Sequence, residues 1–178
     1  MAQMDEGIAK ALEYMRYQGA KGFDDLLALM QRTSDDWTRA LEGWSDAQAG
    51  FKPGEEWSAK EVLGHVLHSN RGINQQVAEM AGVESPREAE RVKGMGETSD
   101  EYEGMSMDEL RSVITETFEE NKTLVRSLES SDKLDQTFPH PFFGQLNLKE
   151  WVAFQRVHAM DHMQQLDKIK ADPAYPGE

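Results

Sequence analysis

The chain has 178 residues, no cysteine, and 33 acidic against 19 basic side chains, for a net charge of −14. That length suits one domain that buries its own core. The charge excludes the basic footprint that nucleic acid or an anionic membrane surface requires, and the lack of cysteine excludes a disulfide framework, a cysteine nucleophile and any thiolate ligand. No apolar run reaches transmembrane length. The N-terminal MAQMDEGIAKALEYM has no basic start followed by a short apolar block, so it does not read as a secretory signal and the expected location is the cytoplasm.

Residues 1–21 predict a short polar helix with a thin apolar face of Ile8, Leu12 and Met15. It reads as an N-terminal extension that packs on the outside of the body or on another subunit. The first long helix is expected from Phe23 to Trp44, with Phe23, Leu26, Leu27, Met30, Trp37, Leu41 and Trp44 at helical spacing. SDAQAGFKPGEEW then breaks the period, and Pro53-Gly54 signals a turn. A second helix starts at Ser58, where Ser58 and Glu61 have capping-box spacing and Trp57 can staple onto the first turn. Its stripe is Val62, Val66, Ile73, Val77 and Met80, and Gly82 is placed to end it.

Residues 83–105 read as a long crossover with at most one helical turn, and stretches of this kind inside a compact domain are often functional. The third helix repeats the capping box at Ser106 and Glu109, with Leu110, Val113, Ile114, Phe118, Leu124, Val125 and Leu128 as its stripe. A loop containing Pro139-His140-Pro141 and Gly144 follows. Asn147 and Glu150 then cap a last helix, NLKEWVAFQRVHAMDHMQQLDKIK, and the tail 171–178 is expected to fray. No segment reads as a strand core. The prediction is an all-α four-helix bundle over residues 22–170 with no sheet and a long crossover between its second and third helices.

The last helix poses a chemical question. Leu148, Trp151, Val152, Ala159, Leu166 and Ile169 form its apolar stripe, and Gln155, His158 and His162 fall inside that stripe. An unpaired buried polar group costs about 1–3 kcal/mol, so two buried imidazoles one turn apart need partners. A metal ion is one answer and a hydrogen-bonded pair is the other. The other helices carry similar breaks: Thr33/Ser34, His65/Ser69 and Thr117/Asn121. Together they suggest a polar layer or pocket, where bundles build ligand and metal sites, although solitary Ser and Thr residues also bond back to their own helix.

Three histidines from two helices can hold one ion and leave coordination open, as a catalytic site requires. Register favours His65 as the third. His68 lies further round toward solvent, and His140 reads as a loop residue able to overhang the site. Neutral imidazoles without thiolates suit zinc, nickel, copper or iron. The Glu-x-x-His pairs of di-iron bundles are absent, because Val62, His65, Gln155 and Ala159 stand three before the four helical histidines. HExxH is absent because Ala159 follows His158. Asp161 makes only an Asp version of HxxEH and projects off the stripe.

Trp57 to His65, W-S-x-x-E-V-L-x-H, and His158 to Leu166, H-x-x-x-H-x-x-Q-L, with His140-Pro141-Phe142-Phe143-Gly144 before the last helix, resemble the DinB-like superfamily. The resemblance spans about Phe23 to Ile169 and rests on the order of these motifs. It implies a four-helix bundle of non-standard connectivity, often a homodimer. It also implies a divalent metal, usually zinc or nickel, held by His65, His158 and His162. The superfamily includes transferases and isomerases that use low-molecular-weight thiols such as bacillithiol or mycothiol. The expected function is therefore metal-dependent group transfer or hydrolysis on a small electrophile, with a non-catalytic metal-binding or stress-response module as the alternative. A thiol would have to come from outside this cysteine-free chain. Arg71 and Arg156 are candidates for its carboxylates but read as solvated surface residues. Tyr102, Asn121 and Asp161 are candidates for handling protons or orienting substrate.

Overall fold

A computed structural model describes residues 2–92, 96, 99–102 and 104–176. The order is α1 (Ala2–Gly19), α2 (Phe23–Ala40), the single turn α3 (Asp46–Ala49), α4 (Ala59–Ala81), a 3-10 turn at Asp100–Tyr102, α5 (Met107–Leu128), β1 (Thr137–His140), β2 (Gly144–Asn147) and α6 (Leu148–Lys170). The three predicted capping boxes form at Ser58/Glu61, Ser106/Glu109 and Asn147/Glu150. A fourth, Ser45/Gln48, starts α3. Each cap is worth about 1 kcal/mol and fixes where its helix starts. Gly82 closes α4 in the left-handed region, φ +70°, where a Cβ would be strained.

Side-chain contacts give the helix directions. Arg111 of α5 donates to the carbonyls of Leu41 and Trp44, while Lys122 reaches Gln31, so α2 and α5 are antiparallel. Lys60 bonds Met105 O, Arg71 bonds Glu120, and Ser131 bonds Ala81 O, so α4 and α5 run parallel. Gln155 opposite Asn74, with His162 beside His65, makes α4 and α6 antiparallel. Two consecutive helices that run parallel explain the long crossover. After α4 the chain must return the length of a 22-residue helix, about 33 Å, before α5 can begin. It returns close against α4: a Cβ on Gly72 would lie 2.7 Å from the Glu90 carbonyl oxygen, so only glycine fits there.

The core takes in most of the predicted stripes, with Leu26, Met30, Trp37, Leu110 and Phe118 buried, and adds Leu29, Leu63 and Leu67, which the stripes left out. Two expectations need correction. The first long helix ends at Ala40 rather than Trp44, and the chain turns into α3. The segment 137–147 is not a loop. It forms an antiparallel hairpin with Phe138 opposite Leu146 and His140 opposite Gly144, so the fold contains a two-stranded sheet. Pro139 is tolerated because a two-stranded ribbon consists of edges. Helix α1 packs against α6, with Met15 fully buried and Gly19 directly against Glu150. Among the described residues, no helix is long and apolar enough to cross a membrane.

Candidate metal centre

Helix α4 contributes His65, and α6 contributes His158 and His162. Their Nε2 atoms meet: His158 Nε2 lies 3.2 Å from His65 Nε2 and 3.1 Å from His162 Nε2. One potential ligand atom from each histidine lies within 4.8 Å of the others. The cluster is packed between rings, Trp57 against His65 at 5.1 Å and Phe154 against His158 at 5.8 Å.

Hydrogen bonding alone satisfies this cluster poorly. Gln165 Oε1 lies 2.9 Å from His162 Nδ1 and can only accept, so the His162 proton sits on Nδ1 and its Nε2 presents a lone pair. One proton on His158 Nε2 can be given to only one of the two neighbouring Nε2 atoms. A cation at the meeting point satisfies all three lone pairs, and three neutral imidazoles are a competent donor set for a divalent transition ion with open coordination. Burial, with the neighbouring His162, His65 and His140 adding to it, holds His158 well below the usual imidazole pKa, so it is neutral at physiological pH. The residues fit the implied metal.

The other candidates separate. His68 is half-buried on α4 and lies outside the cluster. His140 is not a loop residue: it ends β1, is buried, and packs on Phe154, Trp151 and Phe143 with ring centroids 4.4–4.9 Å apart. Arg71 is not at the surface. Its side chain is 4% exposed, and it donates to both oxygens of Glu120 and to the Tyr102 hydroxyl. Arg156 pairs with Asp36 at 2.6 Å. Burial keeps the Tyr102 hydroxyl above its usual pKa, with Arg71 opposing, so it stays protonated at neutral pH.

The polar breaks divide by chemistry. Thr33 and Thr117 bond back to the carbonyls of Leu29 and Val113. Asn121 instead joins a buried amide layer with Asn70, Asn74 and Gln155. Asn70 and Asn74 escaped the sequence reading, although their four-residue spacing on α4 was a signal. Gln165 stood inside the quoted H-x-x-x-H-x-x-Q-L motif with no role assigned to it.

Beside the cluster lies a cleft of about 430 Å³ lined by Pro53, Glu56, Trp57, Asp161, Gln165, Lys168 and Ile169. The 53–57 turn supplies one wall, and the crossover reaches the Trp57 ring at Gly96.

Burial lowers the His140 pKa to about 4. The unfolded chain protonates this imidazole near 6.5, so between those values the unfolded state holds more protons. Stability is therefore fully present above pH 6.5 and falls as the pH drops toward 4, by on the order of 2 kcal/mol. Urea midpoints measured from pH 7.5 to 4 should show this slope, and His140→Phe should make it shallower, leaving the part that the buried His158 contributes.

The chain has clear relatives. It is 24% identical over 143 residues to an uncharacterized protein, YuaE, of Bacillus subtilis (strain 168), covering 73% of this chain and 88% of that one. Among solved structures it is similar to YfiT from Bacillus subtilis, described as "a probable metal-dependent hydrolase with an unusual four-helix bundle topology" (TM-score 0.63, 14% identity, covering 86% of this chain and 89% of that one). It is also similar to TT2238, a four-helix bundle protein (TM-score 0.58, 17% identity, covering 83% of this chain and 99% of that one). These likenesses show the fold. The match that shows the family is to the model for the DinB superfamily, which covers residues 13–166 and takes in α2, α4, α5 and the three-histidine cluster: the chain belongs to the DinB superfamily.

Proposed function

We propose that this protein is a divalent-metal-dependent enzyme that transfers a group to, or hydrolyses, a small electrophilic molecule, with an external low-molecular-weight thiol or water as the nucleophile. The observation that carries this reading is the meeting of three imidazole nitrogens beside a cleft large enough for a small molecule. The description of the YfiT neighbour as "a probable metal-dependent hydrolase" supports the same class of chemistry. His65, His158 and His162 would hold the ion, zinc or nickel by the chemistry of the donors and the family resemblance. When bound, such an ion supplies Lewis-acid charge that favours the anion of water or of a thiol near neutral pH.

The chain's own groups supply the rest. Gln165 holds the His162 ring by its outer nitrogen and also lines the cleft, so it links ligand orientation to the substrate's seat. Trp57 gives substrate an apolar wall against the His65 ring. Glu56 and Asp161 against Lys168 give the cleft both signs of charge, suited to a substrate or thiol carrying an ammonium and a carboxylate.

The test uses tag-free protein loaded with cobalt or zinc, offered bacillithiol, mycothiol, glutathione or water with a panel of electrophiles. Product should form faster than with His162→Ala, and an effective thiol should change the cobalt spectrum. No turnover and no spectral change with any thiol would leave the metal-binding module as the better account.

A further inference from the structure

Two of the three histidines have a partner for the ring nitrogen that faces away from the centre. His162 Nδ1 meets Gln165 Oε1 at 2.9 Å, and His65 Nδ1 meets Ser69 Oγ at 3.5 Å. Each partner stands three or four residues along the same helix, where side chains are neighbours. His158 differs. Its Nδ1 is buried and has no hydrogen-bond partner among the described residues. When its Nε2 offers a lone pair to an ion, the ring proton must sit on that Nδ1.

Three residues back on α6, Gln155 is 1% exposed. Its Nε2 donates to Asn74 Oδ1 at 2.8 Å, Asn74 Nδ2 donates to Asn121 Oδ1 at 2.7 Å, and Asn121 Nδ2 donates to Asn70 Oδ1 at 2.8 Å. Every donor in this amide chain points away from α6. At α6 the chain therefore ends in an unused acceptor, Gln155 Oε1, which is buried and also without a partner among the described residues. A buried donor lacking an acceptor and a buried acceptor lacking a donor thus stand three residues apart on one helix. Leaving both unmade is costly, and joining them removes both penalties.

We propose that Gln155 is the positioning residue for His158: its Oε1 accepts the His158 Nδ1–H, directly or through one buried water, when an ion occupies the centre. This rests on the metal reading above. It completes a pattern in which Ser69, Gln165 and Gln155 each fix one ligand ring from its own helix. It also ties the centre to the amide layer joining α4, α5 and α6, so the ligand ring is anchored to the middle of the bundle. Such outer partners set the tautomer and raise the basicity of the ligating nitrogen. Trp151 Nε1, one turn before Gln155, is another buried donor without a partner among the described residues. An amide oxygen has two lone pairs, so a bond to Trp151 does not exclude one to His158.

The experiment measures cobalt affinity and histidine ring 15N and 1H spectra of the zinc form, for wild type, Gln155→Met, Gln155→Glu and Trp151→Phe. Gln155→Met should bind cobalt about 10–100-fold more weakly and lose the protected His158 Nδ1 proton. Trp151→Phe should bind as wild type does. Gln155→Glu gives up the bond to Asn74 Oδ1 but keeps an acceptor toward His158, so it should bind cobalt more tightly than Gln155→Met and move the His158 Nδ1 proton downfield, because a carboxylate is the stronger acceptor. A purely structural role would lower the stability of Gln155→Met without changing the affinity of the folded fraction. If Gln155→Met fails to fold, Gln155→Glu decides: a downfield shift supports the proposal and an unmoved proton overturns it. Wild-type affinity in Gln155→Met overturns the proposal and leaves the metal reading standing. A wild-type protein that takes up no ion overturns the metal reading and this proposal with it.

Discussion

His162→Ala is expected to purify folded yet to take up almost no divalent ion, while His68→Ala takes up as much as the wild type. His162 supplies one of the three converging Nε2 atoms, whereas His68 lies outside the cluster. Loss of an outer partner alone costs a metal site about 10–100-fold in affinity, so loss of a ligand should cost more than that. The same variants separate metal binding from folding. An ion held at 100 times its dissociation constant adds about 2.7 kcal/mol to stability. In a domain of this size that is roughly 5–10 °C in Tm. Chelator should therefore lower the Tm of wild type and of His68→Ala by about that much, and leave His162→Ala where it started. Equal metal content in the two variants, measured on tag-free protein, would remove the three-histidine assignment.

The parts of the molecule that could be read from the sequence are those governed by neighbours along the chain. The helices α4, α5 and α6 and their capping boxes depend on residues three or four apart; the capping boxes formed as expected, and most of each stripe is buried, although α4 also buries Leu63 and Leu67. His65, His158 and His162 were placed together because each sat in a buried stripe. The antiparallel packing of α4 on α6 then brought the stripes into register. The hairpin was missed because two four-residue strands with a proline in one carry almost no periodic signal, and their stability comes from packing, with Leu146 fully buried. The pocket wall at Pro53 to Trp57 was read as a turn and a helix staple. Its second role appears only when α6 is laid beside it, 104 or more residues away in the chain.

Arg71 was the clearest misreading, and its cause is general. A lone arginine on a helix belongs at the surface unless an acid meets it, and the acid that does so, Glu120, is 49 residues further on. Helices that run parallel put these two at the same height. The fork of the guanidinium then bonds both Glu120 oxygens at 3.1 Å, with the Tyr102 hydroxyl at 3.0 Å as a third acceptor.

A large loss of stability should therefore come from Glu120→Ala. It strands a guanidinium that is 4% exposed, and stranding a buried charge costs about 3–5 kcal/mol. Glu101 and Glu116 lie 3.5 and 3.6 Å from Arg71 but are about half exposed, so water screens them and they should recover little of that loss. Arg71→Met should cost less, because Glu120 keeps some access to water and to Arg87 at 3.8 Å. The pair Arg71→Met with Glu120→Leu should cost least of the three, since removing both partners avoids desolvating either. Urea denaturation of the two single variants and the double variant gives this order directly, and a double variant less stable than Glu120→Ala would refute the argument. The network has a second consequence. Arg71 holds Tyr102, and Arg87 pairs with Glu101 at 3.0 Å, so it pins both ends of the described crossover to α4 and α5. Gly96 of that crossover lies against Trp57, which faces both His65 and the cleft. In Arg71→Met, amide exchange along residues 85–92 and 99–102 should therefore quicken while metal content stays at the wild-type level, because none of the three ligands depends on Arg71.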